Sequence, residues 1–287
     1  MDDKKLLQSL ERIAVALEKM APSDVEKSSI TDAQAFVYNA QNNNLSPVHA
    51  IASIPLNLLI AIDRPRDTLL QNTLQFARGL PANNALLWGA KGMGKSSLVK
   101  AIHCHINQLS DFTLKLIEIH REDIASLPRL LTSLKGTKER IIIYCDDLSF
   151  NQPDRDFKAL KSVLEGGLEA RPDNILFYAT SNRRHLIPRD MADNERSTAI
   201  NPAEVIDETV ALSDRFGLWL GFHTCSQDEY LTMVSGYVTM LALPLTQQDW
   251  QADALNWAIT RGARSGRVAW QFVQDLAGKV VVEPLKT

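Results

Sequence analysis

The run Gly89-Ala90-Lys91-Gly92-Met93-Gly94-Lys95-Ser96 fits the pattern G-x-x-x-x-G-K-[ST] in full. These residue types are the ones a phosphate demands. Glycines let the main chain curl until successive N–H groups point at one anion. A helix starting at the end of the run adds its positive terminus. Lys95 then reaches the outer phosphates of a nucleotide, the Ser96 hydroxyl ligates Mg2+, and Ser97 follows in the same turn.

A phosphate loop needs partners for the metal and for the attacking water. Ile141-Ile142-Ile143-Tyr144-Cys145 ends in Asp146-Asp147, an apolar run closed by two carboxylates. Asp146 suits a metal-holding carboxylate at a strand end, and Asp147 suits the group that polarises water. A plain turn carboxylate is the alternative for Asp147. Asn182 follows a second apolar run, 175–180, and would lie at the carboxyl edge of a sheet, where ligands bind in open α/β folds. Arg215, in Leu212-Ser213-Asp214-Arg215-Phe216, suits an arginine that stabilises transferring phosphate charge across a subunit boundary. Its alternative is a surface arginine paired with Asp214. Arg267 opens a helix, where a cation opposes the helix's own positive end, and a bound anion would explain it. A solvated basic turn is the other reading.

These groups must be positioned by an alternating framework. Apolar strands are expected over 85–89, 113–119, 141–145, 175–180 and 216–222. Helices are expected over 67–78, 95–109, 124–134 and 156–168. Continuous apolar strands between helices predict a parallel sheet covered on both faces, here with five strands. Three more helices are expected over 228–241, 248–261 and 267–278. Before the sheet, Leu6, Leu10, Ile13, Leu17 and Met20 mark one helical stripe, and a second helix is expected over 31–41. Asn42-Asn43-Asn44 and Ser46-Pro47 read as loop. The division is an N-terminal helical extension over 1–58, a nucleotide-binding α/β domain over 59–225 and a helical domain over 226–287.

In this order the elements resemble the AAA-plus ATPases. Gly89 to Ser96 looks like Walker A, Ile141 to Asp147 like Walker B, and Asn182 like sensor 1. Arg215 looks like that family's arginine finger and Arg267 like the sensor 2 arginine of its helical lid. Ile60-Ala61-Ile62-Asp63 sits where the family contacts adenine, which implies Ile62 as a base contact. A narrower resemblance is to an uncharacterised bacterial AAA-plus family, the domain of unknown function numbered 815. It rests on Pro81-Ala82-Asn83-Asn84-Ala85-Leu86-Leu87-Trp88-Gly89, on 160–169, on Tyr178-Ala179-Thr180-Ser181-Asn182-Arg183-Arg184-His185-Leu186, and on Ser265-Gly266-Arg267-Val268. The resemblance implies ATP and Mg2+ as ligands, an ATPase activity and a homo-oligomer with Arg215 acting in trans. Two features depart from the common pattern. Asp147 stands where Glu is usual, one methylene shorter, so slow hydrolysis is expected. The stretch 118–123 lacks the aromatic–apolar–Gly loop of polypeptide-threading relatives.

Composition bounds the rest. The 287 residues are 45% hydrophobic and 23% charged, enough apolar mass for a folded core. A net charge of −3 gives no global argument for nucleic acid, so any such surface must be local; Arg183, Arg184, His185 and Arg189 form one basic segment and Arg261, Arg264 and Arg267 another, and the preferred reading has both lining the nucleotide and the subunit interface. Cys104, Cys145 and Cys225 form neither a metal pattern nor a disulfide framework, which suits a reducing compartment. No signal peptide is expected at Met1-Asp2-Asp3-Lys4-Lys5, and no apolar run spans a membrane, so a cytoplasmic location is expected. The reading is an ATP-driven switch that remodels or loads a protein or nucleic-acid complex, with the client left open between the two. A non-hydrolysing nucleotide-binding scaffold is the alternative. A P-loop small-molecule kinase is disfavoured by the helical C-terminal part, and no acceptor pocket is readable.

Overall fold

The computed structural model describes residues 29–109, 112–150, 155–165, 172–184, 186, 212 and 214–282. The apolar stripe from Leu6 to Met20 and most of the long segment after Asn182 lie outside them.

Strands β1 (Ala35–Asn39) and β2 (Asn44–Val48) come first, then a 3-10 turn, Leu56–Leu58. Helix α1 (Asp63–Ala77), strand β3 (Ala85–Gly89), helix α2 (Lys95–Gln108) and strand β4 (Leu114–Glu118) follow. A 3-10 segment, Arg121–Ser126, runs into α3 (Leu127–Ser133). Next come β5 (Arg140–Cys145), α4 (Arg155–Glu165), β6 (Ile175–Ser181) and β7 (Leu218–Phe222). Helices α5 (Gln227–Met240), α6 (Gln247–Thr260) and α7 (Gly266–Val282) end the described chain.

The sheet has seven strands in the order β2-β1-β4-β5-β6-β3-β7, not the five expected. All neighbours pair in parallel except β1 with β2. The two extra strands correct the reading of 31–41 as a helix and of 42–47 as a loop. Among the described residues of 29–58 there is no α-helix, so the helical reading of this extension fails there. Ala-Phe-Val-Tyr is rich in strand formers, and Phe36 and Tyr38 alternate into the core at 1% exposure each. Asn43 takes the left-handed backbone, φ 49°, that lets the chain reverse. Pro47 is tolerated because β2 is an edge strand.

Period-two alternation divides the sheet into two faces. Leu87, Ile142, Tyr144, Leu176 and Tyr178 face one cluster, which continues through α1 and α2 into α5, α6 and α7. Leu86, Ile143, Cys145, Phe177 and Ala179 face the other, beneath α3 and α4. Near the start of β3, Asn72 clamps the chain by giving and taking hydrogen bonds with the main chain of Asn83, both at 2.9 Å. The Asn84 carboxamide accepts from Phe177 N at 2.9 Å, which joins β3 to β6. The carboxamide contact accounts for Asn84 in the 81–89 run, and with the Asn72 clamp it ties down the start of the strand that carries the phosphate loop.

Candidate functional site

Strand β3 ends at the loop, and α2 begins directly after it. Gly89 (φ 127°) crosses the end of β7 so closely that a Cβ would lie 2.0 Å from the Phe222 carbonyl oxygen. Ala90 N donates to that same oxygen at 2.8 Å. Gly92 (φ 76°) packs under the start of α7, where a Cβ would lie 2.8 Å from Ser265 Oγ. A side chain at Gly89 would meet main chain and one at Gly92 would displace Ser265, so glycine keeps the main chain uncovered at these two points.

Lys95 is 7% exposed. Its Nζ donates to Gly89 O (2.9 Å), Ala90 O (2.8 Å) and Asn182 Oδ1 (3.1 Å). Burial lowers its pKa, and the nearby charges of Asp146 and Asp147 work against that shift. Ser96 Oγ donates to Asp146 Oδ1 at 2.6 Å. Tyr144 OH (2.8 Å) and Thr180 Oγ1 (2.5 Å) donate to the same oxygen. Burial would raise the Asp146 pKa, but these three donors outweigh it and hold the carboxyl below the ordinary value. Burial pushes the Tyr144 phenol far up, so it stays a donor.

Asp147 adopts a left-handed backbone, φ 49°, at the turn that ends β5. Its N–H donates to Thr180 Oγ1 at 3.0 Å, and its Oδ1 accepts from Asn182 Nδ2 at 2.5 Å. Asn182 therefore bridges the lysine and the second carboxylate, one through each side-chain atom.

These groups line one cavity of about 440 Å3. Lys91 to Ser97, Asp146, Asp147, Thr180 and Asn182 form its polar end. Ile54, Leu58, Leu59 and Ile60 form an apolar wall, and Met233, Tyr237, Arg267 and Trp270 close it from α5 and α7. Tyr237 and Trp270 stack edge to face at 5.2 Å. Arg267 donates its main-chain N–H to Gly92 O at 3.1 Å, so α7 starts against the phosphate loop itself.

Of the expected site residues, Lys91 to Ser97, Asp146, Asp147, Asn182 and Arg267 line the cavity, Gly89 and Ala90 meet Lys95 through their carbonyl oxygens, and Ile62 and Arg215 stand apart. Ile62 is 3% exposed, packs beneath Gly94 and does not line the cavity; Ile60, two residues earlier, does. Arg215 is not among the lining residues either. It lies half-exposed near the start of β7, with its Nη2 3.1 Å from Glu165 Oε1 at the end of α4. Sequence reasoning missed Tyr144 and Thr180. Strand parity held the signal, since Tyr144 stands two residues before Asp146 and Thr180 two before Asn182.

The residues present fit a magnesium nucleotide. Among the described residues no group of three or more His, Cys, Asp or Glu could hold a metal unaided. Ser96 and Asp146 are two oxygen donors, the small protein share typical of Mg2+ held jointly with phosphate and water. The glycine loop supplies the phosphate cradle. No helix among the described residues is long and apolar enough to cross a membrane.

A family model described as "Protein of unknown function (DUF815)" matches residues 31–280. No curated protein matches the chain. Among solved structures, the Aeropyrum pernix Orc1 protein, in complex with DNA, is similar at 12% identity and a TM-score of 0.51. That likeness covers 75% of this chain and 61% of that one. The Thermotoga maritima RuvB Holliday junction branch migration motor is similar at 13% identity and a TM-score of 0.45, over 77% of this chain and 72% of that one.

Proposed function

Since the chain belongs to the family described as Protein of unknown function (DUF815) and has an AAA-plus fold, we propose that it is a Mg2+-dependent ATPase working as a molecular switch. One observation carries this reading. The phosphate loop, the Asp146–Asp147 pair, Asn182 and Arg267 all converge on a single cavity that also has an apolar wall. A triphosphate suits the polar lining and a base suits the apolar one.

Lys95 and the main-chain N–H groups of the loop bind the outer phosphates. Ser96 and Asp146 would hold Mg2+, which when bound neutralises phosphate charge. Asp147 orients the attacking water and takes its proton, while Asn182 holds the carboxylate in place. Arg267 reads the phosphates from α7, so the lid position of α5 to α7 depends on the nucleotide. Arg215, outside the cavity of its own chain, reaches a neighbouring copy's nucleotide in a homo-oligomer. The client is a protein or nucleic-acid complex that the switch loads or remodels.

Steady-state ATP turnover of Lys95→Ala and Arg215→Ala tests the reading. Both should fall by about a hundredfold or more, and unchanged turnover in both would sink it. Turnover stimulated by DNA and lost with salt identifies a nucleic-acid client. Stimulation by a co-purifying protein alone identifies a protein client.

A second reading, a nucleotide-binding scaffold that does not hydrolyse, is favoured by the short Asp147 side chain and its tie to Asn182. It predicts tight ATP binding with no turnover.

A further inference from the structure

Asp146 has more donors than a phosphate loop provides. Ser96 belongs to the loop, but Tyr144 and Thr180 belong to the sheet. In the register of β5 and β6, Tyr144 pairs with Tyr178 and Cys145 with Ala179. The next step brings Asp146 level with Thr180. Both hydroxyl residues are buried, with Tyr144 at 0% and Thr180 at 2% exposure. A buried hydroxyl without a partner is costly, and Ile142 fills the same face of β5 with no hydroxyl at all. All three donors meet Oδ1, and among the described residues none meets Oδ2. Ser96 is also the other expected metal ligand. The sheet hydroxyls are therefore the donors that can keep Asp146 in place while Ser96 serves a cation.

We propose that Tyr144 and Thr180 are positioning residues for the divalent cation, locking Asp146 through Oδ1 and leaving Oδ2 as the metal-side oxygen. The proposal rests on the nucleotide reading above. Groups that orient a metal ligand commonly change metal affinity 10- to 100-fold when removed.

The test is Mn2+ binding to the full chain with a non-hydrolysable ATP analogue, followed by electron paramagnetic resonance. The analogue's affinity is also measured in EDTA. Tyr144→Phe should raise the Mn2+ concentration at half-saturation about tenfold and leave the affinity in EDTA unchanged. Thr180→Val should shift it the same way, and Thr180→Ser should restore it. Unchanged half-saturation in Tyr144→Phe and Thr180→Val overturns the proposal. So does an equal loss of analogue affinity with and without Mn2+, since packing alone explains that. If Tyr144→Phe does not fold, Thr180→Val and Thr180→Ser decide. A wild-type chain that binds no analogue, with or without Mn2+, overturns the nucleotide reading itself, which separates the two failures.

Discussion

Arg267 and Gly92 are joined main chain to main chain: the Arg267 N–H donates to the Gly92 carbonyl oxygen at 3.1 Å. The first turn of α7 thus rests on the loop that would hold the phosphates. This hydrogen bond joins the loop to α7 independently of the Arg267 side chain.

Gly92→Ala should break this contact. Its left-handed φ costs a residue with a Cβ about 1 kcal/mol, and the new methyl meets Ser265 Oγ and Arg267 Cβ. Affinity for a fluorescent ATP analogue should fall about tenfold, the equivalent of 1.4 kcal/mol. Wild-type affinity would mean that the α7 contact is not coupled to the ligand.

Asp147→Asn and Asn182→Ala should separate binding from turnover. The first removes the proposed base and the second the amide that donates to it at 2.5 Å. Each should slow hydrolysis about a hundredfold with analogue affinity little changed. A parallel loss of binding would assign both residues to the fold of the site instead.

Arg215 and Glu165 form an exposed ion pair, and such pairs contribute about 0 to 1 kcal/mol. Arg215→Ala should therefore barely move the melting temperature while it lowers turnover. Mixing Arg215→Ala with Asp147→Asn protomers should recover part of the activity, because some interfaces then join an intact arginine to an intact carboxylate. No recovery at any mixing ratio would refute action in trans.

His103 should make stability depend on pH. It is 0% exposed on α2, with Nε2 2.9 Å from Leu114 O. Burial lowers its pKa from 6.5 to about 4. The folded value lies below the unfolded one, so the unfolded chain binds the proton more readily between them. The contribution is present above about pH 6.5 and is lost as pH falls toward 4, by roughly 3 kcal/mol in all. Urea melts across that range should show the fall, and His103→Gln should flatten it. Identical slopes in the two proteins would remove His103 as the cause.

Much of the site was legible because its parts are local in sequence. A phosphate loop needs glycines and a lysine at fixed spacing, and a strand-end carboxylate needs only the apolar run before it. The strands from 85 to 222 were legible for the same reason, since each carries its own apolar pattern. The hairpin of β1 and β2 was not. Ala-Phe-Val-Tyr is short enough to suit either a helix or a strand, and pairing with β4 makes it a strand.

The sequence by itself determined where the phosphate-loop motif lies and which carboxylates close the apolar run 141–145, because main-chain curl and residue spacing are properties of a few neighbouring positions. Only the tertiary structure decided that Ile60 rather than Ile62 reaches the cavity, that Arg215 turns to Glu165, and that Tyr144 and Thr180 meet at Asp146. Each of these depends on the register between strands or on which face a turn presents. Those are settled by packing across the sheet, not by spacing along the chain.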